Sequence, residues 1–300
     1  MYRLYNKRGY MINLVKIIFL MASFCAFSQV TPFYTTRLLS TGGAGVGSIL
    51  VNEASVLNPA SIVFIPITNF YFQQSRSSLK EESSSRLDNS STGQTEIYQI
   101  ADSSSTLKGT FSYQNQSRNG YSRRKYVSSF AAAIGKNTSM GIIYSYNNQN
   151  TPLKEEESFH QGSLGITYVH NKKLSIGFVL KDPFLSNREE SSFKTGLQFA
   201  VFQNMVFIQD FEYPLKPEGS DGLTIRSALQ INFFQDFYLR AGKFDDKMLK
   251  TTGYSYGLFW VGPKLSVGYA LMKSKFTEDT LINFEDETDV ESALSLSLRF

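Results

Sequence analysis

Segments of about ten residues, in which apolar side chains alternate with small or polar ones, recur along most of this sequence. The clearest occupy 174–181, 223–233, 265–272 and 293–300. Because successive side chains of a β-strand point to opposite faces, each segment predicts a strand with one apolar face and one small or polar face. Beyond residue 29 no run of 18 apolar residues occurs, so no transmembrane helix is predicted. The chain is therefore expected to be all-β.

Two architectures fit strands of this kind. A soluble sandwich turns the apolar faces inward, whereas a transmembrane barrel turns them toward lipid and keeps small and polar side chains in its lumen. Segment length favours the barrel, since a tilted strand needs roughly 9–11 residues to cross hydrocarbon. Aromatic pairs near segment ends, such as Tyr144 with Tyr146 and Tyr254 with Tyr256, favour it too, as do connections that alternate between short and long. We therefore predict an antiparallel transmembrane β-barrel.

The pattern predicts fourteen strands, with the apolar side chains of Leu229, Tyr269 and Leu296 facing acyl chains. Twelve is the fallback, because Pro66 interrupts the first segment and 76–105 is Ser-rich and poorly patterned. The predicted strands lie near 62–75, 93–101, 106–117, 126–135, 138–148, 160–170, 173–182, 193–202, 205–213, 222–232, 236–244, 251–261, 264–274 and 290–300.

The first 28 residues have the order of a secretory signal peptide. Lys16 precedes an apolar run over 17–27, and the small residues Ala26 and Ser28 fit a cleavage site before Gln29. Translation from Met11 would retain a sufficient basic start. Export combined with a barrel predicts the outer membrane of a Gram-negative bacterium, with outer-membrane lipid and lipopolysaccharide around the protein. The terminal Leu-Ser-Leu-Arg-Phe resembles the signature that barrel insertion machinery recognises.

Charge and residue counts exclude several function classes. Four of the 30 basic residues and none of the 26 acidic residues lie in 1–28, so the mature chain is formally neutral and no nucleic-acid partner is expected. The only cysteine, Cys25, lies there too. His160 and His170 are expected at opposite membrane interfaces rather than on one metal ion. No Ser-His-Asp pattern has a local signature. We predict no catalytic residues, no enzyme activity, no cofactor and no metal.

Positions 29–61 separate the signal peptide from the predicted barrel, 62–300. The glycines of 41–48 do not form a phosphate-binding loop, because no strand precedes them and no Gly-Lys-Ser/Thr follows. After them come Glu53, Ala-Ser and then Asn-Pro-Ala at 58–60. Over 41–61 this order resembles the N-terminal region of the FadL-type fatty-acid transport barrels and their relatives.

That resemblance implies a fourteen-stranded barrel whose N-terminal segment folds inward as a plug, with small hydrophobic molecules as cargo. The candidate plug residues are Gly43, Gly45, Glu53, Asn58 and Pro59. A related branch, the accessory barrels of type IX protein secretion, shares the fold and the Asn-Pro-Ala neighbourhood without transporting lipid. Passive passage of fatty-acid-like compounds and a closed structural or secretion-accessory barrel that presents its loops to a protein partner both remain open.

Charged residues of the predicted strands fall on the lumen-facing register. A charge facing lipid at the membrane midplane costs ~2–4 kcal/mol, so the lumen is the consistent location. Arg226, Arg240 and Asp210 are the candidates for a lumen network. Such a network would either line a polar path and hold the plug, or simply fill a closed barrel with paired charges. The basic triplet 123–125 is predicted to lie in an external loop that could reach lipopolysaccharide phosphates.

Overall fold

A computed structural model describes residues 32–49, 52–80, 91–118, 120–151, 154–171, 173–187, 190–215, 222–247, 249–276 and 288–300, so the predicted signal peptide lies outside the described residues. Across these ranges, fourteen antiparallel strands close into one barrel, in which each strand pairs with its neighbours in sequence and the first pairs with the last. The predicted fold class and strand number are confirmed. The strands are β1 Asn69–Lys80, β2 Ser91–Asp102, β3 Lys108–Arg118, β4 Tyr121–Ala133, β5 Thr138–Thr151, β6 Lys154–Asn171, β7 Leu174–Lys181, β8 Ser192–Phe202, β9 Met205–Pro214, β10 Thr224–Phe233, β11 Phe237–Asp246, β12 Thr251–Val261, β13 Leu265–Phe276 and β14 Thr288–Arg299.

The two ends of the barrel differ in their connections. At one end, here the short-turn end, strands are joined by brief links such as 134–137, 203–204 and 262–264. At the other, the long-loop end, several links, such as 182–191 and 277–287, are longer, although β3 is joined to β4 and β5 to β6 there by two-residue links. Outer-membrane barrels place short turns in the periplasm and longer loops outside.

Two sequence predictions about local structure were wrong. The basic triplet 123–125 lies within β4 rather than in an external loop, because β3 and β4 form a tight hairpin in which Arg118 opposes Tyr121 and Gly120 adopts a φ of 74°. The first strand begins at Asn69 instead of residue 62, since residues 59–64 form a 3-10 helix and Pro66 has no N–H to give to a strand ladder.

The outer surface of the barrel is apolar. Tyr269 and Leu296 expose 47% and 38% of their surface, and Leu229 faces outward between the inward-facing Ala228 and Gln230. The predicted outward orientation of these three side chains is therefore confirmed, and a soluble monomer rarely exposes so large an apolar surface. Other exposed side chains around the barrel are Ile100, Phe111, Phe130, Ile142, Leu164, Phe178, Phe199, Leu239, Leu258 and Leu294.

Inside the barrel lies the stretch formed by residues 33–49 and 52–68, here called the inner segment. It contains one short helix, α1 (Thr36–Ser40), and 3-10 helices at Asn52–Ser55 and Pro59–Phe64. The Thr35 hydroxyl accepts a hydrogen bond from Leu38 N, which caps α1. Apolar side chains of the inner segment pack on small residues of the wall. Leu39 of α1, for example, packs on Ala270 and Ala293.

Among the described residues, no helix is both long and apolar enough to cross a membrane.

Candidate functional site

The inner segment fits the lumen because glycines line the wall where the two meet. A methyl carbon placed on Gly177 would overlap the Val46 carbonyl oxygen, and one on Gly242 would overlap the Thr41 carbonyl group. The same close approach occurs at four other strand positions. The six residues, here called the glycine belt, are Gly141, Gly165, Gly177, Gly196, Gly242 and Gly257. Any larger side chain in this belt would displace the inner segment.

Asn58 joins three parts of this site. Its side-chain oxygen accepts a hydrogen bond from Ala60 N at 3.1 Å and so caps the 3-10 helix that Pro59 begins. Its side-chain nitrogen donates to the Val46 carbonyl oxygen at 2.7 Å and to Thr167 Oγ1 on β6 at 3.0 Å. Asn58 is 1% exposed, so each of these bonds replaces one with water. The motif therefore fixes the inner segment to itself and to the wall.

Asp210, on β9, binds the glycine-rich turn of the inner segment. Asp210 Oδ2 accepts hydrogen bonds from Gly45 N at 2.6 Å and from Val46 N at 2.9 Å. Gly43, two residues earlier, has a φ of 84°, and a Cβ there would lie 3.1 Å from Arg226 Nε. Glycine satisfies both requirements at this position, because it tolerates positive φ and has no side chain.

Arg226 sits in a buried ion cluster on β8–β11. Its Nη1 donates to Glu212 at 2.6 Å and its Nη2 to Asp246 at 2.5 Å. Lys194 Nζ forms a second ion pair with Glu212, at 2.8 Å. The cluster therefore contains two cations, Lys194 and Arg226, and two carboxylates. The structure thus places Arg226 and Asp210 on neighbouring strands, but no ion pair joins them within the described residues.

Arg240 lies apart from that cluster. Its Nε donates to Gln230 Oε1 at 2.8 Å, and its guanidinium carbon lies 4.1 Å from the centroid of the Phe259 ring. It lines a cavity of about 170 Å³ at the short-turn end, together with Arg37 and Glu53 of the inner segment. Burial lowers the pKa of the Arg37 guanidinium to about 10, so it stays charged at neutral pH. Sequence reasoning grouped Arg240 with Arg226, whereas the structure separates them.

A second ion cluster closes the long-loop end of the lumen. Glu190 Oε1 lies 2.5 Å from Arg123 Nη1, and Glu190 Oε2 lies 2.7 Å from Lys181 Nζ. Burial alone would raise the pKa of Glu190, but the two cations hold that pKa well below its usual value. The Arg123 guanidinium carbon lies 5.4 Å from the centroid of the Phe33 ring, which belongs to the inner segment. One carboxylate therefore holds two cations at this end, and one of these cations contacts the start of the inner segment.

The two histidines do not form a site together. His160 and His170 are both exposed on β6, and the nearest polar partners of their rings are Tyr144 and Tyr168. Among the described residues, no three His, Cys, Asp or Glu side chains are grouped closely enough to hold a metal ion.

Comparisons with known proteins find relatives in structure alone. No family model matches the sequence, and no curated protein matches it. The toluene transporter TodX of Pseudomonas putida superposes with a TM-score of 0.67 at 10% identity, over 90% of this chain and 99% of that chain. The CymD monoaromatic hydrocarbon channel superposes with a TM-score of 0.64 at 12% identity, over 88% of this chain and 96% of that chain. A Pseudomonas aeruginosa FadL homologue superposes with a TM-score of 0.60 at 10% identity, over 90% of this chain and 98% of that chain. The chain has the FadL-type fold.

Within this FadL-type fold, sequence reasoning missed two features of the lumen. The glycine belt was one, although a signal existed, because each of its glycines holds a small position on the lumen-facing register of a strand. Arg37 was the other, and no pattern marked it, since a single basic residue in a short helix carries no information about what it faces. The sequence candidates for the lumen network also did not include Glu212 and Lys194, which the structure joins to Arg226 in one ion cluster.

Proposed function

We propose that this barrel mediates passive passage of small hydrophobic compounds across the outer membrane, without enzyme activity. The FadL-type fold supports this, because the solved structures that share it include a toluene transporter and a monoaromatic hydrocarbon channel. The cargo is accordingly a compound of that apolar class. The apolar outer face and the alternation of short and long connections support the outer-membrane location.

One observation about the inner segment carries the proposal. No backbone–backbone hydrogen bond links its described residues 33–60 to a strand. It is held instead by side-chain hydrogen bonds, among them those of Asp210, Asn58 and Gln73, and by packing against the glycine belt. The segment can therefore shift without opening any strand pair of the barrel, which membrane lipid would penalise heavily. A plugged conduit requires a segment that fills the lumen and that can move independently of the wall, as the inner segment can.

The filled lumen also favours a second candidate, a closed barrel that serves protein secretion and presents its loops to a partner. The ion cluster around Arg226 balances two cations with two carboxylates and ties four neighbouring wall strands, β8–β11, together. A scaffold that never opens would be expected to have such pairing. The two candidates differ in whether the inner segment moves during function.

Uptake in whole cells separates them. Cells with and without the gene would be supplied with radiolabelled toluene and oleate, and the rate of accumulation measured, while the solubilised barrel is examined for co-purifying lipid and protein. Faster accumulation in cells that carry the gene supports the conduit. Equal accumulation, with a stable protein partner recovered and no lipid, contradicts it and supports the secretion scaffold.

A further inference from the structure

The cavity at the short-turn end of the lumen carries unpaired cationic groups. It lies between α1, the 3-10 helix Asn52–Ser55 and the wall formed by β1 and β11–β14. Arg299, at the last position of β14, marks its outer edge, so the cavity faces the periplasmic side of the barrel. It is separate from the glycine belt and from both ion clusters.

Two guanidinium groups in this cavity have hydrogen-bond donors without acceptors. Arg37 Nη1 and Arg240 Nη1 are both buried, and neither has a partner in the described part of the chain. Arg240 is 6% exposed, so its side chain is more than nine-tenths buried. Ser266 Oγ, on the facing wall, is also buried and unpaired. Unsatisfied buried donors of this kind are rare in folded proteins and indicate an absent partner.

The charge of the cavity points the same way. Arg37, Arg240 and Arg299 line it, and Glu53 is the single acid among its lining residues. In the described structure none of the three arginines forms an ion pair, and the Glu53 carboxylate accepts from Thr35 Oγ1. Water could satisfy the donors but would not balance the net positive charge. Glu53 offsets only one of the three positive charges, and an excess of buried positive charge is strongly unfavourable, so an anion is the partner that suits the site.

Size and lining restrict the anion further. At about 170 Å³ the cavity holds a single aromatic ring or a body of similar size. Part of its wall is apolar, provided by Phe259, Val261 and Ile65. A carboxylate pairs with a guanidinium through two parallel hydrogen bonds, and the Phe259 ring beside Arg240 suits a flat apolar partner.

We propose that this cavity is a binding site for a small monocarboxylate with an apolar body, of about the size of benzoate. Arg240 and Arg37 bind the carboxylate through their free Nη1 groups, Ser266 donates a further hydrogen bond, and Phe259 packs against the apolar body. The site would take an acidic compound at the periplasmic end of the barrel, whether or not the barrel conducts neutral hydrocarbons.

Benzoate binding to the full mature chain in detergent micelles tests the proposal. Isothermal titration calorimetry at constant ionic strength would compare sodium benzoate with sodium phosphate. The variants are Arg240→Met and Arg37→Met, which keep most of the side-chain volume and remove the guanidinium. Arg124→Met is the matched control, because Arg124 is exposed on the outer surface, where it pairs with Glu156. Thermal unfolding of each variant verifies that it folds.

Saturable benzoate binding, weakened by at least about tenfold in both variants and unchanged in the control, is the expected result. Absence of benzoate binding to the unmodified protein would overturn the proposal. Equal weakening in the Arg124→Met control would place the ligand elsewhere and also overturn it. Phosphate binding as tight as benzoate would contradict the monocarboxylate assignment. Uptake of toluene or oleate does not enter this measurement, so it can fail or succeed independently of the conduit.

Discussion

Asp210 Oδ2 accepts a hydrogen bond from Gly45 N at 2.6 Å, across 165 positions of the sequence, and so joins β9 to the inner segment. The same oxygen accepts from Val46 N, while Asp210 Oδ1 has no partner within the described residues. One carboxylate therefore holds two backbone donors of a glycine-rich turn in the middle of the lumen. This contact, together with that of Asn58, anchors the inner segment to the wall.

Replacing Asp210 by alanine should loosen the inner segment and leave the barrel intact. The change leaves two buried N–H groups unsatisfied, at a cost of roughly 1–3 kcal/mol for each group. Amide hydrogen exchange at Gly45 and Val46 should accelerate, and exchange in the strands should not. The control is Asp245→Ala, since Asp245 pairs with Lys247 on the exposed outer surface. Unchanged exchange at Gly45 in Asp210→Ala would contradict the anchoring role.

Asn58→Ala should weaken the attachment of the inner segment to the wall at β6. It removes the cap of the 3-10 helix and the bonds to Val46 and Thr167, a loss of about 1–2 kcal/mol. Because no strand pair is affected, we expect hydrocarbon uptake to change while the free energy of barrel unfolding in detergent stays nearly constant. Asn148→Ala, at the more exposed end of β5, is the control. Identical uptake in both variants would remove Asn58 from the plug hypothesis.

Gly177→Ala should displace the part of the inner segment that packs against β7. The added methyl group overlaps the Val46 carbonyl oxygen, and overpacking of this kind costs typically about 1–3 kcal/mol. Limited proteolysis should then cut the inner segment faster, which mass spectrometry detects. Gly162→Ala is a matched control, since a methyl group there meets its nearest neighbour at 3.9 Å. Equal cleavage rates would show that the glycine belt is not needed to seat the segment.

Glu212→Ala should destabilise the barrel much more than a surface change does. It leaves Lys194 and Arg226 with one fewer buried carboxylate, and breaking a buried pair from one side costs about 3–5 kcal/mol. Glu156→Ala breaks an exposed pair with Arg124, where about 0–1 kcal/mol is expected. Urea unfolding in detergent measures both. Similar small losses would mean that the buried cluster contributes little to stability.

The sequence predicted the barrel because alternation reports directly on which face meets lipid, as it does for Leu296 and Tyr269. It failed at the start of the barrel, because the 3-10 helix that Pro59 begins in the predicted plug continues through 62–64, which the pattern assigns to the first strand. Which lumen charges meet was not predictable either. Arg226 and Arg240 both face the lumen, but the pairing of β10 with β11 places Arg240 opposite Gln230 and Arg226 opposite Phe244, so the two have different partners. The partners of a lumen side chain depend on how neighbouring strands are aligned, and the pattern of a single strand does not contain that information.

A disulfide between the inner segment and the wall tests the central claim, that hydrophobic compounds pass when this segment moves. A Cβ placed on Gly257 would lie 2.6 Å from Ser40 Cβ, so Ser40→Cys with Gly257→Cys needs a shift of about 1 Å to reach disulfide geometry. The only native cysteine, Cys25, lies in the predicted signal peptide. The control pair, Lys243→Cys with Tyr254→Cys, joins two strands on the outer face.

Toluene uptake should be measured in cells that carry each pair, before and after reduction with dithiothreitol. We predict that the oxidised Ser40→Cys/Gly257→Cys barrel blocks uptake, that reduction restores it, and that the outer-face pair conducts in both states. Undiminished uptake through a fully oxidised Ser40→Cys/Gly257→Cys barrel would contradict the claim.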